Sequence, residues 1–205
     1  MTIIDISPTL VPGLPVWPGD PEYRIERCLS MDEGDPVNLH SISLSLHAGS
    51  HIDAPAHCLQ GGATVDEVSL ASCIGPARLV RVDNHLGELQ PEHFSEVLRS
   101  PVERLLIACD RDPGCFPQAY PFLGVRTAQM LVDLGICLVG TDAPSVDAFE
   151  DDSLSAHRVL LKGRIVILEN LNLVQVPDGD YELIALPLPV KGGEAAPVRA
   201  ILRRA

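Results

Sequence analysis

Eleven residues, HAGSHIDAPAH from 47 to 57, gather three histidines and one aspartate around small residues and a proline. Imidazole and carboxylate are metal ligands or proton carriers, and together they suit zinc, iron or manganese. In an extended backbone His47, Gly49, His51, Asp53, Pro55 and His57 share one face, with Ile52 on the other. A straight strand cannot bring them to one ion, because residues four apart lie roughly 13 Å apart at about 3.3 Å per residue. Zinc holds its donors at about 2 Å. The chain must therefore bend between His47 and His51, where Ala48, Gly49 and Ser50 are small enough for a tight turn or bulge. A helix carrying His47 and His51 four apart, as in HExxH sites, is disfavoured by Gly49, Ser50 and the nearby Pro55. Ser41, Ser43 and Ser45 alternate with Ile42, Leu44 and Leu46 just before, so the segment reads as a strand entering a bent, ligand-bearing loop.

The elements that must position this loop are short. Runs rich in leucine and β-branched residues mark strands near 3–6, 23–29, 38–46, 77–82, 104–109, 136–139, 164–168, 181–186 and 198–202. Helical patterns fall at 91–98, at 127–134 before Gly135, and at 153–162 before Gly163. The irregular order argues against a regular βαβ repeat and toward a mixed sheet or barrel flanked by helices, in the α/β class. The third helix matters for chemistry. Asp151, Asp152 and Ser153 offer an N-cap, His157 falls inside, and the following run RIVIL delivers Glu169 just past its end. A helix, a tight turn and an antiparallel return would bring His157 and Glu169 to one end, within reach of the loop.

At 205 residues the chain can bury roughly 70% of its unfolded surface in one domain. No Gly/Ser-rich linker divides it, and the proline-rich stretch 8–21 comes too early to separate two cores. The net charge of −13 and scattered Lys and Arg make nucleic acid and anionic membranes poor partners, which leaves small molecules. No run approaches the ~20 apolar residues of a membrane span, and the first residues, MTIIDISPTL, carry no secretory signal, so a cytoplasmic protein is expected. Six cysteines without a CxxC pair, in a chain this long, point to reduced thiols, with Cys109 and Cys137 acting as buried apolar residues.

HAGSHIDAPAH resembles the HxGTHxDxPxH signature of the cyclase-like metal-dependent hydrolases, a family that includes bacterial kynurenine formamidases and isatin hydrolases. Ser50 takes the usual threonine place. The resemblance continues through WPGD (17–20), GTDAPSVD (140–147), the segment from His157 to Glu169, and GDYELIALPL (179–188), and so covers essentially the whole chain. It implies a swivelling β/β/α-type domain with a β-barrel-like core, assembled as a homodimer or larger. It further implies that His47, His51 and Asp53 bind one metal, that Asp53 bridges to a second held by His157, and that Glu169 bridges or completes the pair. Zinc, two ions per subunit, or manganese would be the cofactor. His57 would be the proton donor and acceptor, and Trp17 a wall of the pocket for a small aromatic amide. The implied reaction is amide hydrolysis, foremost of N-formyl-L-kynurenine to L-kynurenine and formate in tryptophan degradation; isatin-like cyclic amides are the alternative. The chain departs from the family pattern at Cys58, where an aromatic residue is frequent, and at Arg158, where a second histidine is common.

Such metals lower the pKa of bound water to about 7 and polarise a carbonyl, and a base of reference pKa about 6.5 can carry the proton an amine leaving group requires. One rival is nucleophilic attack by Cys58 with His57 as base, but adjacent residues in an extended segment face opposite ways. A second is a non-catalytic protein holding its metal for stability or binding a small aromatic ligand. Structural zinc sites are closed and commonly built from cysteine, whereas this set is His and Asp with a spare proton carrier.

Overall fold

The computed structural model describes residues 2–82, 87–110 and 118–204. In chain order it contains β1 (Thr2–Asp5), β2 (Arg24–Leu29), β3 (Leu39–Ser43), β4 (His51–Asp53), α1 (Leu70–Cys73), β5 (Ile74–Arg81), β6 (Glu88–Leu89) and β7 (Arg104–Ala108). There follow β8 (Phe122–Leu123), α2 (Val125–Asp133), β9 (Leu138–Thr141), α3 (Ser155–Lys162), β10 (Val166–Glu169), β11 (Gly179–Ile184), β12 (Ala195–Pro197) and β13 (Ile201–Arg204).

Nine strands form one curled mixed sheet in the order β1-β13-β11-β5-β7-β9-β10-β4-β12. Its centre, β5-β7-β9-β10, is parallel, and the flanking pairs are antiparallel. Parallel neighbours require crossovers. Helix α2 links β7 to β9 and α3 links β9 to β10, so the middle of the chain is locally βαβαβ inside an otherwise irregular order.

The central strands alternate between two apolar cores, which is why they read as unbroken hydrophobic runs. Leu106, Leu138 and Leu168 join Leu79, Leu183 and Leu202 on one face. Leu105, Ile107, Val139 and Ile167 pack on the other face against Leu131 of α2 and Leu160 and Leu161 of α3. Each leucine buried this way stabilises the fold by about 1.5–3 kcal/mol relative to exposure. The two helices are thereby fixed on one side of the sheet, and α3 presents its first turn at the carboxyl ends of β9 and β10.

Several elements differ from the sequence expectation for local reasons. The strand expected over 38–46 ends at Ser43, because the Ser45 carbonyl accepts the Ala48 N–H at 3.0 Å and starts the turn. The helix expected over 91–98 is a 3-10 turn, Pro91–Phe94, followed by turns in which the Leu98 N–H donates to the Phe94 carbonyl at 3.0 Å. The third helix starts at Ser155 rather than 153, because Leu154 sits at φ +51°. That left-handed conformation costs roughly 1–2 kcal/mol for a non-glycine residue. Of the expected caps Asp151 serves, accepting the Ser155 N–H at 3.1 Å, while Asp152 is exposed.

Cys28, Cys58, Cys73, Cys109 and Cys137 are free thiols; Cys115 lies outside the described residues. Cys109 and Cys137 are half-buried rather than buried. Among the described residues no helix is long and apolar enough to cross a membrane.

Candidate metal centre

Strand β4 alternates as its sequence requires. Ile52 is fully buried in the apolar core, so His51 and Asp53 face the opposite way. The chain before it turns sharply through 46–50, and Gly49 at φ +67° makes the bend. That conformation calls for glycine; a Cβ there would also press on the end of the Leu10 side chain, which could move aside. The turn swings His47 back over the strand. On one side β4 pairs antiparallel with β10, which sets Glu169 directly opposite His51; on the other it pairs with β12, with Pro197 opposite His51 and Ala195 opposite Asp53. The Ser50 hydroxyl donates to the Asn170 carbonyl at 2.9 Å and ties the turn to the end of β10. From the far side α3 lowers His157, buried with Ala156, Leu160 and Leu161, onto the same point.

The five side chains meet there. Asp53 Oδ1 lies 3.1 Å from His47 Nδ1 and 3.4 Å from His51 Nε2, and Asp53 Oδ2 lies 3.3 Å from His157 Nε2. Glu169 spans the same gap, with Oε2 3.5 Å from His51 Nε2 and Oε1 3.4 Å from His157 Nε2. The donors form two groups sharing Asp53, namely His47/His51/Asp53 and Asp53/His157/Glu169, each with ligand atoms within 4.8 Å of one another. Four donors placed tetrahedrally at about 2 Å from zinc are about 3.3 Å apart. The carboxylate-to-imidazole spacings of 3.1–3.5 Å are of that order.

Two atoms make the fit more specific. Among the described residues His51 Nε2 and Asp53 Oδ1 are buried and make no well-formed hydrogen bond, only the ion-pair contacts of 3.1–3.5 Å given above, a costly state that a cation held between them would relieve. The donors are nitrogen and oxygen without thiolate, which suits zinc and manganese alike. Burial depresses the His51 imidazole, but Asp53 and Glu169 outweigh it and raise it from 6.5 to about 10. His157 is raised in the same sense, the pull of Asp147, Asp53 and Glu169 overcoming burial, while Asp53 is held well below the usual carboxylate range by its histidines despite its burial. The carboxylates thus hold positive charge at this point, as protons when no metal is bound, so metal and protons compete for one place.

The histidines are aimed from behind. His51 Nδ1 contacts the Gly49 carbonyl at 3.0 Å, an acceptor only, which fixes the proton there and leaves Nε2 to ligate. His157 Nδ1 bonds Asp147 Oδ2 at 2.6 Å, and the two Asp147 oxygens also accept the N–H groups of Ala156 (2.6 Å) and His157 (3.1 Å). Asp147 therefore caps α3 and orients its ligand at once. Glu169 Oε1 accepts the Val146 N–H at 2.7 Å, and Glu194 Oε1 stands 3.6 Å from His47 Nε2. Loss of such an outer carboxylate weakens metal binding by about 10–100-fold. Asp147→Asn is accordingly expected to loosen metal to that extent in a chelator competition, with the fold retained; unchanged affinity would remove Asp147 from this role.

His57 sits in the 3-10 turn Pro55–His57 just beyond β4. Its ring lies 4.5 Å from that of His47 and 5.4 Å from that of His157, centroid to centroid, at the edge of the cluster. Burial pushes its pKa below 6.5 against the opposing pull of Asp53 and Glu169, with His47 and His157 acting in the same direction as burial. The neutral imidazole is therefore the favoured form at pH 7. The Cys58 thiol is pushed up by burial and stays protonated, which takes away the thiolate that the rival nucleophile requires. Above the cluster opens a cavity of about 280 Å³ lined by Trp17, Phe149, His57, Asp20 and Asp152 among others. The Trp17 and Phe149 rings stand 5.2 Å apart at 37° and form one aromatic wall.

Sequence reasoning assembled His47, His51, Asp53, His57, His157 and Glu169, and the structure brings all six together, with Trp17 above them. It gave no role to Asp147, Phe149 or Glu194. Asp147 ends the quoted run GTDAPSVD, where an acid shortly before a capped helix was the available signal; Glu194 carried none, because only the β4–β12 pairing brings it near His47.

The curled mixed sheet thus holds two overlapping His/Asp/Glu donor groups beneath an aromatic cleft, and its structural neighbours include metal-dependent hydrolases. The family described as "Putative cyclase" matches residues 4–148, and the chain belongs to that family. It is 44% identical to a kynurenine formamidase of Salinibacter ruber, over 100% of this chain and 99% of that protein. Isatin hydrolase A from Labrenzia aggregata, bound to benzyl benzoate, matches in structure with a TM-score of 0.86 at 28% identity, covering 98% of this chain and 93% of that one. A potential metal-dependent hydrolase with cyclase activity gives 0.86 at 26% identity over 100% and 98%.

Proposed function

We propose that this chain is a metal-dependent amide hydrolase acting as a kynurenine formamidase, releasing formate from N-formyl-L-kynurenine. The observation that carries this reading is the buried His/Asp/Glu cluster, in which His51 Nε2 and Asp53 Oδ1 lie 3.4 Å apart without a well-formed hydrogen bond among the described residues, at the floor of a cleft walled by Trp17 and Phe149. His47, His51 and Asp53 would hold one zinc or manganese ion, and Asp53, His157 and Glu169 a second. Such ions supply Lewis acidity toward a carbonyl oxygen and an activated water at neutral pH. His57 does the proton work. Being neutral, it accepts the proton as water adds to the formyl carbon and returns it to the aryl nitrogen as the C–N bond breaks. The aromatic wall stacks the substrate ring and keeps bulk water from the reacting carbonyl. The acids lining the cleft, Asp20 and Asp152, favour a substrate whose side chain bears an ammonium group.

The test is a substrate panel on metal-loaded protein. N-formylkynurenine hydrolysis that stops on chelation and returns with zinc or manganese supports the reading; full metal occupancy without turnover of any formanilide, isatin or related cyclic amide sinks it. Preference for isatin over N-formylkynurenine would favour the cyclic-amide alternative, which the isatin hydrolase likeness supports. Cys58→Ala is expected to keep metal and turnover, and its inactivity with metal in place would revive the thiol nucleophile.

The reading extends to one domain over 1–205, a cytoplasmic location consistent with the free thiols, and a homodimer or larger homo-oligomer. Support for the dimer comes from the β2–β3 hairpin. It is a separate two-stranded sheet with every β3 residue exposed, including Leu39 and Ile42, and two strands alone are marginally stable in water.

A further inference from the structure

We propose that Arg158 is a positioning residue for His57, clamping the turn that carries His57 to the helix that carries His157. The inference rests on His57 being the acid/base of the reaction proposed above. Among the described residues no hydrogen bond holds the His57 ring nitrogens, and its ring neighbours are His47 and His157. Its place is therefore set by the backbone of the turn. One side of that turn is fixed by its own loop. The Ala56 N–H donates to the Ala63 carbonyl at 2.9 Å, and Gly62 packs so closely that a Cβ would stand 2.5 Å from the Pro55 carbonyl carbon.

The other side is fixed by Arg158. Its Nη1 donates to the Cys58 carbonyl at 2.7 Å, one residue beyond His57, while its Nε donates to the Ser153 carbonyl at 2.8 Å in the approach to α3. The guanidinium fork thus spans two backbone carbonyls from loops far apart in sequence, and it does so from the residue next to the metal-facing His157. A planar fork fixes both separations, whereas a lysine ammonium is a single point charge that cannot. Charge-assisted bonds of this kind are short and strong for their type, although the Arg158 side chain is exposed and solvent competes for it. What the clamp sets is distance, and a displacement of about 1 Å can cost up to about 100-fold in rate.

Three variants test the proposal. Arg158→Ala is expected to lower kcat about 10-fold, below that ceiling because the group is solvent-exposed, with KM nearly unchanged and the metal content of the wild type. Arg158→Lys should recover only part of the loss, and added guanidinium ion should raise the kcat of Arg158→Ala but not that of the Cys58→Ala control. Amide hydrogen exchange supplies a readout that needs no substrate. The His57 and Leu59 N–H groups, bonded to Ala54 and Pro55 carbonyls at 2.9 Å, should exchange faster in Arg158→Ala while those of β4 stay protected. Unchanged exchange in the turn overturns the proposal. So does a loss of activity that comes with metal loss or general destabilisation and is not rescued by guanidinium, which would make Arg158 a structural residue. If the exchange result holds but the wild type hydrolyses no amide, the reading of the reaction fails and the clamp stands.

Discussion

Asp53→Asn is expected to strip the chain of metal and with it of turnover, at constant side-chain shape. Asp53 is 1% exposed, and both its oxygens face histidine nitrogens, Oδ1 those of His47 and His51 and Oδ2 that of His157. It is the one residue common to both donor groups. An asparagine keeps the volume but replaces one oxygen by an N–H donor pointed at ring nitrogens and removes the negative charge that gathers positive charge at this point. Losing an outer partner of a ligand already costs about 10–100-fold in affinity, so removing the shared ligand should cost more than about 100-fold. Metal per chain after gel filtration is the measurement, with circular dichroism confirming the fold. Stoichiometric metal and wild-type turnover in Asp53→Asn would displace the ion from this position.

His57→Ala should behave in the opposite way, keeping metal and losing rate. The ring lies beside the ligand cluster without being one of the donor groups, so its removal leaves those contacts intact. A positioned general acid/base contributes about 10²–10⁴-fold, and kcat should fall by that factor while metal content stays at the wild-type value. The pH profile gives the sign. Burial, helped by His47 and His157, outweighs the pull of Asp53 and Glu169 and disfavours the imidazolium, so the His57 pKa lies below 6.5 and the wild-type rate should fall only as pH drops beneath it. In His57→Ala the residual rate should lack that limb. An alanine variant with undiminished kcat, or one that has lost its metal, would return His57 to a structural or ligating role.

The separation of these two roles shows where sequence and structure each had their say. Spacing alone placed His47, His51, Asp53 and His57 on one face with Ile52 behind, and the β4 alternation follows that pattern because a strand has a period of two. Gly49 marked the bend for the same local reason, since few other residues adopt a positive φ. The capped helix around His157 was legible within two residues, and its late start reflects the left-handed Leu154, which no propensity foretells. The hydrophobic runs of β7, β9 and β10 announced buried strands, while their parallel pairing depended on α2 and α3 sharing one face of the sheet.

What the sequence determined by itself was the inventory: which side chains can ligate, which can carry a proton, and the short-range geometry that two- and four-residue periods impose. Only the tertiary structure decided the partnerships across long stretches of chain. Glu169 faces His51 through the β4–β10 register, Asp147 orients His157 through the start of α3, Glu194 reaches His47 through the edge strand β12, and Arg158 ties Cys58 to α3. Local residue order constrains dihedral angles and faces, whereas these contacts join residues brought together by the burial of two apolar cores, and that burial is indifferent to how far apart in sequence its members lie.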